Sequence, residues 1–355
     1  MLNQMLSSAA AGSASIAFAR FAGAGGLGVD GQQATGLAVP SAHARVGVRI
    51  DLTPVERGER AAAEDAAYRA GGAGRSPEET RQIGEAFRRE LDNASPALSS
   101  AAGAADQARY ADLKQAGTFA LLASDVYQDR SNPALLPRGF SALSDAQAQR
   151  QFPGFTPRDD QSGFYSRIYH DRATDSYVVV NRGTNDASAP IGILRQTPDG
   201  QTNGALITGF TTRQADLALA NARQVSAATG GRVQFAGHSL GGALASLQAM
   251  STGKPATVFN PLGINPKTAA RYHLDMGALN SRVRSYQVEG EPVAKANHFL
   301  GLRTSSNTIR LDSRDLSWSA NDGFKVHAGS SDPHSMTAVL AGVLDGMVAA
   351  KSARR

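Results

Sequence analysis

The 355-residue chain has no cysteine, which excludes disulfides, thiol nucleophiles and thiolate metal sites and leaves the fold indifferent to redox compartment. It also has no apolar run long enough to span a bilayer. The best stretch, Thr337 to Ala350, is short and carries Asp345, so a soluble protein without a transmembrane segment is expected. No lysine precedes Lys114 and no acidic residue precedes Asp30. Met1-Leu2-Asn3-Gln4 lacks the basic start of a signal peptide, which argues against cleavable general export. The formal charge is +5 and the pI near 9.6. With lysine and arginine scattered instead of clustered, this mild balance does not suggest a nucleic-acid partner, whereas an anionic membrane surface suits it.

Composition divides the chain. Residues 1–107 are rich in Ala, Gly, Ser and Arg and poor in core formers; they read as a leader, mostly disordered or transiently helical. Two segments carry helix-start signals, Thr53-Pro54-Val55-Glu56 and Ser76-Pro77-Glu78-Glu79, each a capping box with proline at the first helical position. Behind the second, Ile83, Phe87 and Leu91 recur at four-residue spacing, a stripe wide enough to dock on a surface and too narrow to build a domain. The Ser-rich, acid-poor beginning is similar to the leaders of effectors injected by dedicated bacterial secretion machines. That similarity implies secretion, delivery into a host or target cell, and a secretion chaperone as partner of the leader.

Residues 108–355 read as one folded domain. A helix with an apolar face runs through Leu113, Phe119, Leu122, Val126 and Tyr127. Gly163–His170 and Ser176–Asn181 are β-rich runs separated by Asp171-Arg172-Ala173-Thr174-Asp175, a hairpin pattern. A helix from about Arg213 to Ala228 follows, then strand-like runs at Arg232–Ala236, Ala256–Asn260 and Arg282–Val288. Strands alternating with helices predict an α/β fold with a mainly parallel central sheet flanked by helices, and such sheets bind ligands beyond the carboxyl ends of their strands.

At one such end stands Gly237-His238-Ser239-Leu240-Gly241-Gly242, followed by the helical run Ala243–Met250. A serine hydroxyl is a poor nucleophile unless a sharp strand-to-helix turn holds it out, with a base on one side and substrate on the other. The flanking glycines suit a turn in which a Cβ two positions away would clash. The N–H of Leu240 would then point from a helix N-terminus at a developing oxyanion. This nucleophile-elbow pattern makes Ser239 the candidate catalytic serine.

A hydrolase of this architecture takes its acid and then its histidine from later in the chain. His43 and His170 come too early, and His238 lies inside the elbow. His273, His298, His327 and His334 remain. His334, in the loop Asp332-Pro333-His334-Ser335-Met336 before a terminal helix, is the preferred base, with His298 and His327 as alternatives. For the acid, Glu291 on the turn after Gly290 is preferred to Glu289, with Asp312 and Asp275 behind them. A second oxyanion donor is expected from Thr184, which follows Val178-Val179-Val180 through Asn181-Arg182-Gly183; Arg182 reads as a brace for that loop.

Arg182-Gly183-Thr184, Gly237–Gly242, Thr257–Gly263 and His334-Ser335-Met336 occur in the order of a known pattern. Over residues 110–350 the chain resembles the class 3 lipases, whose fold is the α/β-hydrolase fold. Glu291 stands where that family usually has aspartate. The resemblance implies hydrolysis of lipid carboxylic esters with no metal or cofactor. It also implies a lipid or phospholipid substrate met at a membrane surface, and a mobile lid over the serine within residues 185–210. Two other outcomes stay open, a catalytically idle lipid-binding protein and a soluble carboxylesterase.

Overall fold

The computed structural model describes residues 77–95, 98, 102–184, 198–319, 323–328 and 332–352. The first capping-box segment, at Thr53, and the proposed lid residues 185–197 lie outside this set. The elements that position the site are helix α1 (Pro77–Asn93), helix α2 (Ala104–Asp125), strand β1 (Phe140–Ala142), helix α3 (Asp145–Gln151), strand β2 (Arg158–Asp159), strand β3 (Phe164–Asp171) and strand β4 (Ser176–Asn181). Helices α4 (Pro198–Thr208) and α5 (Arg213–Ala228), strand β5 (Val233–His238), helix α6 (Leu240–Thr252) and strand β6 (Ala256–Phe259) come next. The chain continues through helices α7 (Pro266–Arg271) and α8 (Met276–Arg282), strand β7 (Val283–Val288), helix α9 (Pro292–Phe299) and strand β8 (Thr308–Leu311). A hairpin of strands β9 (Arg314–Ser319) and β10 (Gly323–Ala328) precedes helix α10 (Met336–Ser352).

The sheet order is β1-β3-β4-β5-β6-β7-β8, with β2 also paired to β3. The expected hairpin is there: β3 and β4 pair antiparallel with Ile168 opposite Val179. From β4 onward each neighbour is parallel. The sheet is therefore mixed, with a parallel run through the elbow strand and antiparallel β1 and β2 at one edge. Those two strands are three and two residues long, too short to leave a periodicity signal in sequence.

Alternation sorts the sheet's side chains into two cores. Val178, Val180 and Ala236 face a cluster completed by α1, α2 and α10, whereas Val179 and Phe235 face one completed by α5, α6 and α8. Helices on both faces explain why the parallel strands read as continuous apolar runs. On this sheet order, and on the sharp turn between β5 and α6, the fold is an α/β-hydrolase fold.

Helix α1, assigned to the leader on composition, packs on the domain. Ile83, Phe87 and Leu91 are buried in the first cluster, and α1 lies along α2. Burying side chains of that size stabilises by roughly 1.5–3 kcal/mol each, enough to hold a 17-residue helix that would be marginal alone in water. The stripe is a docking face, and its surface belongs to this same chain.

The C-terminal end of α2 is fastened to β3 by a buried polar network. The Asp125 carboxylate accepts from Arg167 Nη1 at 2.9 Å and from the Tyr169 hydroxyl at 2.7 Å, and Arg167 Nη2 donates to the Tyr165 hydroxyl at 2.8 Å. Every partner is itself hydrogen-bonded, the condition under which a buried charge pair is tolerated. Tyr127, two residues beyond Asp125, is buried in the first cluster.

Candidate active site

Ser239 follows the elbow strand as the N-cap of α6, with φ 57° and ψ −124°, a region that L-residues avoid and that marks stored backbone strain. Main-chain hydrogen bonds hold it there. Ser239 N–H donates to Phe259 O at 3.0 Å, and Ser239 O accepts from Gly242 and Leu262 N–H at 3.0 Å each. The glycines are sterically required: a Cβ at Gly237 would overlap the Gly241 carbonyl, and one at Gly241 would overlap the Asn181 carbonyl. Both obstacles are main chain and cannot swing aside. Gly241→Ala is accordingly expected to cost about 3 kcal/mol, read as a lowered denaturant midpoint; an unchanged midpoint would show that the β4–α6 approach is not as close as described.

His334, from the loop before α10, points its Nε2 at Ser239 Oγ at 2.9 Å. Its Nδ1 lies 3.0 Å from Glu291 Oε2. A carboxylate can only accept, so the proton sits on Nδ1 and Nε2 presents its lone pair to the serine hydroxyl. Burial disfavours the charged imidazole, but the hydrogen bond and charge of Glu291, with the charge of Asp332, outweigh it and raise the His334 pKa above the ordinary 6.5.

Glu291 is fully buried and is the N-cap of α9, with Pro292 at the first helical position. Its Oε2 accepts from Val293 N–H at 2.8 Å and its Oε1 from Ala294 N–H. One carboxylate thus serves a helix N-terminus and an imidazole together. Glutamate is long enough to reach His334 from the cap position.

The other candidates are elsewhere. Glu289, His273 and His298 are exposed. Asp312 pairs with Arg314, and Asp275 caps α8. The side chain of His327 lies outside the described residues.

Leu240 opens α6, so its N–H has no acceptor within the helix. The Arg182-Gly183-Thr184 loop runs beside the elbow: a Cβ at Gly183 would stand 2.6 Å from His238 O and 3.3 Å from Ser239 Cβ. Thr184 Oγ1 accepts a 3.0 Å hydrogen bond from Asn203 Nδ2. This leaves the hydroxyl hydrogen free to point elsewhere. Arg182 lies over the Tyr165 ring at 5.1 Å and donates to Gly163 O at 3.4 Å, in keeping with a brace.

Asn203 was not foreseen. It sits in α4, inside the stretch read as a lid, and α4 is anchored: Leu206 and Ile207 are buried in the second core, and Asp199 accepts from Gln214 at 2.7 Å. In the described part of that stretch, Asn203 bonds the Thr184 side chain. One asparagine on a helix that also carries Asp199, Gln201 and Thr202 is a signal too weak to have found it.

Also unforeseen is His238, set aside in sequence as too close to its neighbour. It is 5% exposed; its Nδ1 lies 2.9 Å from the Tyr127 hydroxyl and its Nε2 lies 2.6 Å from His334 O. Burial, reinforced by the adjacent His334, lowers its pKa to about 3.

Sheet order and strained elbow define an α/β-hydrolase fold that carries Ser239, His334 and Glu291 in one hydrogen-bonded line. Comparison with known families narrows this. The model of the Tle-like phospholipase domain, a phospholipase-like family, matches residues 118–310, more than half of the chain. The chain belongs to that family. Ser239, Glu291 and Thr184 fall inside the matched region, and His334 lies beyond it. An extracellular phospholipase A1 of Serratia liquefaciens is 37% identical over 163 residues, 45% of this chain and 46% of that protein; the match thus spans less than half of that relative's length. The crystal structure of Lip2 lipase from Yarrowia lipolytica covers 72% of this chain and 85% of its own, at 11% identity and a TM-score of 0.33. Among the described residues, no helix is long and apolar enough to cross a membrane.

Proposed function

We propose that the protein hydrolyses carboxylic esters of phospholipids by a serine mechanism. The observation that carries this reading is the continuous line of hydrogen bonds from Ser239 Oγ through His334 to Glu291, at 2.9 and 3.0 Å. Ser239 Oγ attacks the ester carbonyl as its proton passes to His334 Nε2, and Glu291 holds the tautomer and stabilises the imidazolium. The N–H of Leu240 and Thr184, with the Thr184 hydroxyl, hold the tetrahedral oxyanion. His334 then protonates the departing alkoxide, giving an acyl-serine and a lysolipid. Water, deprotonated by the same imidazole, releases the fatty acid and restores the serine.

Phospholipid is preferred to neutral glyceride because the family model carries that description and the matched Serratia protein is named as a phospholipase A1. The same extracellular relative and the acid-poor leader support secretion and action on the membrane of another cell, with a chaperone holding the leader before export. The test is to incubate the protein with vesicles of phospholipid, diacylglycerol or triglyceride and identify products by mass. Lysophospholipid and free fatty acid are expected. Release from neutral glycerides alone would replace the phospholipase reading with a lipase one, activity on dissolved short-chain esters alone would make it a soluble esterase, and vesicle binding without release would leave only lipid binding.

The base acts only when neutral. Because the His334 pKa is raised above 6.5, kcat/KM should climb with pH and reach half its plateau above 6.5. His238, held at about 3, should contribute no inflection between pH 5 and pH 9. A half-maximum below 6.5 would contradict the net pull of Glu291 on the imidazole.

A further inference from the structure

The residue before the serine has no part in the steps above, yet its ring makes two directed contacts in a buried place. A main-chain carbonyl can only accept, so the 2.6 Å contact with His334 O requires the proton of His238 to be on Nε2. Nδ1 is then an acceptor, and the Tyr127 hydroxyl donates to it at 2.9 Å. We propose that His238 is a positioning residue: the carbonyl puts its proton on Nε2, the Tyr127 hydroxyl holds the ring at Nδ1, and the Nε2–H pins the main chain of His334, aiming the imidazole at Ser239. This rests on the serine reading above.

The loop of His334 has little regular structure to fix it, since it lies between hairpin β9–β10 and the start of α10. It is tied instead to the carboxyl ends of the parallel strands. His238 ends β5 and donates to His334 O. Asn260, just past β6, donates through Nδ2 to Pro333 O at 3.1 Å and His334 O at 3.3 Å, while its Oδ1 accepts from Val288 N–H at 2.9 Å at the end of β7. Tyr127 is itself buried, and its N–H donates to Ser124 O at 3.3 Å at the end of α2. The base is therefore referenced to the sheet that also sets the serine, and a serine–imidazole contact of 2.9 Å needs such a common frame.

Charge points the same way. The two imidazole rings are 4.7 Å apart, centre to centre. A cationic His238 would repel the imidazolium that His334 must become. Its burial against Tyr127 keeps it neutral, so it supplies a donor without supplying a charge.

The test compares His238→Leu, His238→Gln and Tyr127→Phe with the parent protein. It reads kcat and KM on a dissolved p-nitrophenyl ester and the downfield proton resonance of His334 Nδ1–H by NMR, with thermal melts to check folding. A displacement of about 1 Å at a catalytic group costs about 100-fold, so His238→Leu should lower kcat about 100-fold with KM little changed and should broaden or shift the resonance. The glutamine Nε2–H can reach the same carbonyl, so His238→Gln should recover most of the rate. Tyr127→Phe, which removes the partner of Nδ1 and loosens the ring, should fall between. Wild-type kcat in the leucine variant, equal loss in leucine and glutamine variants, or a resonance unmoved while kcat falls would each overturn the proposal. Should the leucine variant fail to fold, the glutamine and Tyr127→Phe variants decide alone: wild-type kcat and resonance in Tyr127→Phe would overturn it. Failure of the serine reading is separately visible, because Ser239→Ala would then stay active while the NMR comparison still reports whether His238 governs His334.

Discussion

Ser239→Ala is expected to lower ester hydrolysis by about 10⁵–10⁶-fold, the scale on which loss of a triad nucleophile is felt in a serine hydrolase. The residual rate would come from the oxyanion donors and substrate binding, which the substitution leaves in place. Stability should change by about 1 kcal/mol or less, because only the hydroxyl contact to His334 is lost and the main-chain bonds that hold the elbow remain. The measurement is initial-rate hydrolysis of phospholipid vesicles beside a thermal melt, with a phosphonate inhibitor as an independent probe of the nucleophile. The parent protein should gain one covalent adduct on Ser239 and the variant none. A variant that melts normally and keeps a tenth of the rate would mean that another group carries the acyl chain.

Glu291→Gln has the second-largest expected effect, a fall in kcat of about 10⁴-fold, as follows when the acid of a triad becomes an amide that can favour the wrong imidazole tautomer. Here the carboxylate has a second duty, capping α9 through Val293 and Ala294 N–H, so a further loss of about 1 kcal/mol in stability is expected. Glu291→Asp separates the two duties. The shorter side chain can cap the helix but falls short of His334, so stability should be nearly kept while kcat falls about 100-fold. Parent-like kcat in Glu291→Asp would show that reach from the cap position is not what selects glutamate here.

Much of the fold was legible because its signals are local. Val178-Val179-Val180 and the run before Ser239 are short apolar strands bounded by turn residues, and Arg213–Ala228 is a helix with the bounds the sequence suggested. The elbow was legible because its steric demand is written into Gly237 and Gly241, and chain order then limited where the acid and base could lie. What escaped reading depends on contacts distant in sequence. The stripe on α1 specifies an apolar partner without specifying which, and only the folded chain shows that α2 supplies it. Asn203, Tyr127 and Asn260 are ordinary residues of a helix, a helix end and a loop. Each matters through a partner far along the chain, and no local pattern encodes that pairing.

The position of His334 has a consequence for how the molecule comes into being. Synthesis delivers Ser239 first, Glu291 next and the histidine 95 residues after the serine. The histidine is followed by α10, whose packing along α2 closes the first core. On the serine reading, a nascent chain halted anywhere before that loop carries a nucleophile without its base. The producing cell therefore meets an inert polypeptide until His334 and α10 have been translated, and any protein that keeps α10 from docking on α2 would extend that silence beyond release from the ribosome.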